Sequence, residues 1–160
     1  VEKNINLISN IEKVYDEDII VIGAEDIKKE IANCCNPIYG DDIVGVIVNG
    51  VGIKIHRTSC NNVLEEHNKI WAEWNKKQLP DTKYLTNIVI HASDRNNILT
   101  EYINATGESG LLIQNINSTV SGLKVKTKLS LYVKNLEVLN TFIDNLNKIK
   151  GVESIERIIK

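Results

Sequence analysis

The sequence predicts an α+β protein: a small module built on an antiparallel β-hairpin, followed by a β-α-β-β-α-β domain. Three observations carry this expectation. Asn49-Gly50 separates the apolar runs 43–48 and 51–56, and Asn-Gly readily supplies the positive φ angles of a tight hairpin turn. Residues 124–133 alternate strictly, with Val125, Thr127, Leu129, Leu131 and Val133 on one face and Lys124, Lys126, Lys128, Ser130 and Tyr132 on the other. Behind them Leu136, Leu139, Phe142, Ile143, Leu146 and Ile149 recur at helical intervals.

In chain order, residues 1–18 are polar and rich in Asn, Glu and Asp, and read as a linker or the end of an upstream helical region. Residues 18–23, DIIVIG, form a short apolar run ended by glycine and predict a strand that opens a folded unit. Residues 27–32 are ambiguous. The hairpin follows, then residues 60–67 as a short helix capped by Asn61 or Asn62. Residues 70–74 predict a strand returning to the hairpin. Pro80 within the polar run 76–83 marks a boundary, giving one domain over 19–78, a linker over 79–83 and a second domain over 84–160. In the second domain, 84–92 reads as a strand, and Ile98, Leu99, Tyr102 and Ile103 have helical spacing. Strands over 112–120 and 124–133 follow, then a helix stopped by Gly151 and a last strand over 152–159. Two helices then cover one face of a four-stranded sheet and leave the lysine face open.

At 160 residues the chain suits one ordinary domain or two small ones, and a single Phe and two Trp leave the interior to Ile, Val and Leu. No apolar run approaches the roughly 20 residues that cross a bilayer, which points to the cytoplasm and no membrane partner. The net charge of −2 divides unevenly. Residues 1–83 hold ten Lys and Arg against fourteen Asp and Glu, and residues 84–160 hold nine against seven. Neither half is a basic arm, so contact with RNA requires a local patch. The chain begins at Val and has no Met, as an excerpt of a longer polypeptide would.

The three cysteines are an odd number, with two adjacent at 34 and 35 and the third at 60, four residues after His56. In a reducing compartment such thiols serve as metal ligands, reactive groups or small buried residues rather than disulfide partners. Cys34, Cys35, His56 and Cys60 suffice for a closed tetrahedral zinc site if the hairpin end returns to the Cys-Cys turn. Adjacent cysteines point to opposite sides of extended backbone, so a turn at Asn36-Pro37 has to fold both inward. Spacing leaves open a second reading, buried apolar thiols with His56 in a polar contact. A third, a catalytic Cys60–His56 pair, lacks an orienting group.

The stretch CCNPIYGDDIVGVIVNGVGIKIHRTSCNNV, residues 34–63, closely resembles the zinc-finger or ribosome-intersubunit domain near the C-terminus of RelA/SpoT-type alarmone synthetase/hydrolases. There Cys-Cys-x-Pro-x-x-Gly-Asp leads through a glycine-bearing hairpin to His-Arg-x-x-Cys. A Trp-containing strand, a linker and a ferredoxin-like domain similar to an ACT module, with Asp94-Arg95 at the end of its first strand, extend the resemblance over residues 19–160. It implies the C-terminal regulatory region of a bifunctional (p)ppGpp synthetase/hydrolase of the stringent response, a GTP pyrophosphokinase. The family's catalytic domains lie upstream. No phosphate loop, paired catalytic carboxylates or metal-hydrolase cluster occurs in this chain, so the fragment itself is expected not to be an enzyme. Expected partners are the ribosome, rRNA and tRNA, and the upstream catalytic domains. The alternative is a dimeric ACT sensor that binds a branched-chain amino acid and regulates the same or another enzyme.

Lys54 and Arg57 beside the hairpin end, and the stripe Lys124, Lys126 and Lys128, are the candidate RNA contacts. A strand's wet face accounts for the stripe equally well. Tyr84, Tyr132 and Trp71 read as packing residues rather than base-stacking platforms. Asp94, Arg95, Asn97 and Ile98 are the candidate ACT ligand turn, but Asn97 replaces the glycine that the resemblance leads one to expect, and its side chain crowds a ligand that glycine admits. Tyr39 stands where a second proline is frequent, and Val51 where the hairpin often carries a basic residue.

Overall fold

The computed structural model describes residues 18–65 and 67–159. The expected linker over 1–18, apart from Asp18, lies outside the described residues. The chain divides into two compact units, one running to Tyr84 and taking in Ile159, the other Leu85–Ile158.

The first unit contains β1 (Ile19–Ile20), β2 (Lys29–Ile31), β3 (Ile43–Val48), β4 (Gly52–Arg57), β5 (Lys69–Ile70) and β6 (Glu73–Trp74). Its main sheet has the order β2-β4-β3-β5, and β1 pairs with β6 in a second, two-stranded sheet. The predicted hairpin forms, with Ile43 opposite Arg57 and Val48 opposite Gly52. Its turn is one residue longer than expected. The Val51 N–H reaches the Val48 carbonyl at 3.1 Å, and Gly50 has φ +78° while Asn49 does not enter the positive-φ region. Residues 27–32, ambiguous in sequence, supply β2, which runs parallel to β4 rather than antiparallel.

Gly52 makes that parallel pairing sterically feasible. It has φ +125°, and a Cβ built there would lie 2.3 Å from the Lys28 carbonyl oxygen, which accepts the Ile53 N–H at 2.9 Å. No side chain fits between those strands. Both faces of the sheet are covered. Ile53 and Ile55 pack with Ile19, Val21, Ala24 and Ala72 on one side, whereas Val46 packs with Ala32, Cys35, Cys60 and Val63 on the other.

Two expected elements are shorter than predicted. The helix over 60–67 is one 3₁₀ turn, Asn61–Val63, preceded by Cys60 in extended conformation and without a side-chain cap; Glu66 is outside the described residues. One turn buries Val63, and a longer isolated helix would pay a nucleation cost that no further apolar contact offsets. The strand over 70–74 breaks after Ile70, so that β5 pairs with β3 and β6 with β1. Asp18, fully buried, ties the end of this unit together: its carboxylate accepts the Tyr84 hydroxyl at 2.6 Å and the Leu79 N–H at 2.9 Å.

The second unit follows the predicted order: β7 (Tyr84–Ser93, entering this unit after Tyr84), α1 (Ile98–Glu108), β8 (Leu112–Ser121), β9 (Lys124–Val133), α2 (Leu136–Asn147) and β10 (Val152–Arg157). The sheet order β10-β7-β9-β8 is that of the split β-α-β-β-α-β arrangement. β9 realises its alternation, since Val125, Thr127, Leu129, Leu131 and Val133 are buried and the three lysines exposed. Leu139, Phe142 and Leu146 give α2 its buried stripe, and the Asn135 side chain caps it by accepting the Val138 N–H at 2.9 Å.

Gly52→Ala is expected to cost the first unit about 2 kcal/mol or more, because it combines a strained φ with a backbone clash. Gly50→Ala, with nothing within 4 Å of the added Cβ, is expected to cost only about 1 kcal/mol. Urea unfolding followed by tryptophan fluorescence separates the two, since Trp71 and Trp74 both lie in this unit.

Candidate metal centre

Two adjacent thiols converge because Cys34 and Cys35 are not in extended backbone. They sit in a turn closed by the Asn36 N–H donating to the Ala32 carbonyl at 2.9 Å, with Asn36 at φ +45°. In a helical turn consecutive side chains diverge by about 100° rather than 180°, which allows both to face one volume. The turn thus lies before Pro37, earlier than the sequence suggested. β4 brings in His56 from below, and a second turn, Cys60 N–H to Arg57 carbonyl at 3.0 Å, carries Cys60 back to it.

One donor atom from each of Cys34, Cys35, His56 and Cys60 lies within 4.8 Å of all the others. Cys34 Sγ is 3.6 Å from Cys60 Sγ and 3.9 Å from Cys35 Sγ. His56 Nδ1 is 3.3 Å from Cys34 Sγ and 3.8 Å from Cys35 Sγ. Zinc–sulfur bonds of about 2.3 Å and zinc–nitrogen bonds of about 2.0 Å imply tetrahedral edges of roughly 3.5–3.8 Å. The four separations are within a few tenths of an ångström of those edges, and the donor types, three thiols and an imidazole, suit that ion. Zinc there would be held by three thiolates and the Nδ1 of His56, and would serve as a structural crosslink between the two turns.

The thiols differ in protonation. Burial pushes the Cys34 thiol up, but contacts from the Asn62 side chain, Cys60 and Cys35 outweigh it and leave the pKa below the ordinary thiol value. Burial dominates at Cys35 and pushes it up to about 12, although the Arg57 N–H, 3.3 Å from its sulfur, works the other way. A dication coordinated there would deprotonate its thiols outright, Cys35 included.

The other sequence candidates are dispersed. Lys54 lies in β4 between its Cα partners Glu30 and Val46 and is half-buried. Arg57 corrects an expectation: it is only 8% exposed, so its guanidinium does not present itself to a phosphate. On the wet face of β9, Lys124 is paired with Glu153, while Lys126 and Lys128 are exposed. Tyr84 is buried as expected, whereas Trp71 is 72% exposed and is not a packing residue. Its place just past edge strand β5, beside a buried Ala72, puts it outside both apolar clusters.

The candidate ligand turn is tied up by the chain itself. Arg95 donates from Nε to the Lys150 carbonyl at 2.7 Å and pairs with Glu101. The Asp94 N–H donates to the Leu123 carbonyl at 2.8 Å. Asn97 occupies the left-handed region at φ +69°, the conformation for which glycine is favoured, and its carbonyl accepts the Glu101 N–H. Ile98 is a buried core residue of α1 and offers no ligand contact. Asn62, which reaches Cys34, was missed because the sequence cast it as a helix cap.

Residues 19–75 match the RelA/SpoT RIS domain and residues 80–157 match an ACT domain. The chain is 32% identical over 147 residues, 91% of its length and 20% of the relative's, to a guanosine-3′,5′-bis(diphosphate) 3′-pyrophosphohydrolase of Aquifex aeolicus. It is 28% identical to the protein of that description from Spiroplasma citri, over 89% of this chain and 20% of the relative. The chain therefore spans about a fifth of the length of the curated relatives it matches. The ACT domain from GTP pyrophosphokinase of Chlorobium tepidum superposes with TM-score 0.45 and 27% identity, covering 48% of this chain and all of that one.

Chain purified under reducing, chelator-free conditions is expected to carry stoichiometric zinc by elemental analysis. Cys60→Ser, which removes a ligand in the centre, is expected to lower that content strongly. Metal-free chain with unchanged unfolding behaviour would instead identify the thiols as plain core residues.

Proposed function

We infer that this chain, which belongs to the RelA/SpoT family through its RIS and ACT domains, reads ribosome and tRNA status for catalytic domains of the same cytoplasmic polypeptide. It is the C-terminal regulatory region of a RelA/SpoT-type enzyme, and the alarmone chemistry named for its relatives belongs to parts of the protein beyond the stretch they share with it. The observation that supports this reading most is the four-donor cluster itself. With zinc bound it would fasten the hairpin end and the Cys-Cys turn into one rigid knob, and a rigid, small surface loses less freedom on docking to a large ribonucleoprotein.

The second unit contributes a face of exposed side chains. β9 offers Lys126 and Lys128, and β8 carries Asn115, Asn117, Thr119 and Ser121 on the same side by register. Ammonium groups of this kind contact phosphate without reading bases, and place a partner rather than select its sequence. The dimeric amino-acid sensor is less well served, because Arg95 spans the turn at which a branched-chain amino acid would approach the backbone.

Association of the parent protein with ribosomes, followed by sedimentation across a potassium chloride series, tests the reading. Each lysine that neutralises a phosphate contributes close to one unit to the slope of log K against log salt, so Lys126→Ala with Lys128→Ala is expected to flatten it by about 2. Lys124→Ala should change it less, since Glu153 already shares that charge. An unaltered slope overturns the assignment of this face. Saturable heat on titration with valine, leucine or isoleucine would favour the sensor instead.

A further inference from the structure

We propose that Cys34 and Cys60 form an oxidisable dithiol, and that hydrogen peroxide closes them to a disulfide which excludes metal from the centre. The proposal rests on the cluster's geometry, and its first arm needs no metal.

The three thiols are not equivalent. Cys34 is partly exposed, whereas Cys35 is 1% exposed and Cys60 is fully buried. A peroxide arriving from solvent meets Cys34 first. Its sulfur has two thiol neighbours, Cys60 at 3.6 Å and Cys35 at 3.9 Å. Backbone geometry separates them. Consecutive Cα atoms across a trans peptide are about 3.8 Å apart, below the roughly 4.4–6.8 Å that a disulfide spans, and no peptide among the described residues is cis. Cys35 is also held by the Arg57 N–H on its sulfur. Cys60 lies 26 residues along the chain and carries no such constraint. Its sulfur needs to approach Cys34 by about 1.5 Å to reach bonding distance.

The chemistry balances in two steps. The Cys34 sulfur attacks one peroxide oxygen, the O–O bond breaks, and Cys34 becomes a sulfenic acid as one water leaves. The Cys60 sulfur then attacks the sulfenic sulfur, the S–S bond forms, the S–O bond breaks and a second water leaves. Two electrons pass from the thiols to the peroxide, and both thiol protons end in water. The product retains Cys35 and His56, two donors in place of four, and cannot close a tetrahedral site.

Metal-free chain treated with hydrogen peroxide, alkylated and mapped by peptide mass is expected to show one Cys34–Cys60 link per chain, with Cys35 still alkylated. Cys35→Ser is expected to give the same link, and Cys60→Ser a sulfenic acid at Cys34 that a cyclic 1,3-dione traps. Zinc-loaded chain should react at least about tenfold more slowly, since a coordinated sulfur shares with the ion the lone pair that attacks. A Cys34–Cys35 or intermolecular product, three free thiols in the metal-free arm, or equal rates with and without zinc overturns the proposal. Zinc content of the reduced chain is read separately, so failure of the metal assignment is distinguishable from failure of the dithiol.

Discussion

Consecutive side chains in extended backbone face opposite ways, and the first unit is organised around relieving that constraint at one point. The turn closed between Ala32 and Asn36 places the sulfurs of Cys34 and Cys35 3.9 Å apart, and everything else about the centre follows from it. β2 must end at Ile31 for the turn to begin, and β2 can lie beside β4 only because Gly52 leaves room for the Lys28 carbonyl. His56 and Cys60 are then fixed by the far end of the same β4 strand. A glycine at one end of β4 and two ligands at and beyond the other thus share one strand register.

A second linkage in the same unit runs through aromatic rings. Trp74 meets Tyr39 at 5.3 Å between ring centroids and Tyr84 edge-on at 5.5 Å, and its indole N–H donates to the Asp41 carbonyl at 2.8 Å. Asp41 in turn accepts the Ile38 N–H, fixing the loop that follows the cysteine turn. At the other end Tyr84 donates to the buried Asp18 carboxylate. A buried carboxylate costs several kcal/mol unless its oxygens are satisfied, and here Tyr84 and Leu79 satisfy one each. The region expected to be a loose boundary around Pro80 is therefore anchored at Leu79 and Tyr84, although its composition is that of a linker.

The second unit was the more legible. Its elements are long, amphipathic and bounded by Asn or Gly, so that period alone recovers β9 and α2 with their buried faces. In the first unit, strands of two or three residues such as β1, β5 and β6 carry too few positions to establish a period, and β2 gains its strand character from a parallel neighbour distant in sequence. The four clustered donors have residue types and a spacing visible in the sequence, but the turn that brings Cys34 and Cys35 together was not legible, because it depends on Asn36 adopting φ +45°. Arg57 and Trp71 went astray for one reason. Sequence assigns polarity, whereas strand register decides which side of the chain meets solvent. Arg57, opposite Ile43, is drawn inward, and Trp71, between the buried Ala72 and β5, is turned out.

On the reading proposed above, the two units would divide the physical requirements of docking. The first has an excess of acidic side chains that offsets its exposed lysines Lys28, Lys69, Lys76, Lys77 and Lys83, and its Arg57 is withdrawn, so electrostatic attraction to a polyanion is not its strength. The second carries the positive balance, and within it Lys124 is paired with Glu153 while Lys126 and Lys128 stand exposed in the middle of a strand. Charges on a backbone fixed by cross-strand hydrogen bonds lose less entropy on contact than charges on a mobile loop. On that same reading, a weak but ordered electrostatic face joined in sequence to a knob that zinc would crosslink favours partners that engage both at once, since the linked second contact is made at raised effective concentration rather than by new affinity.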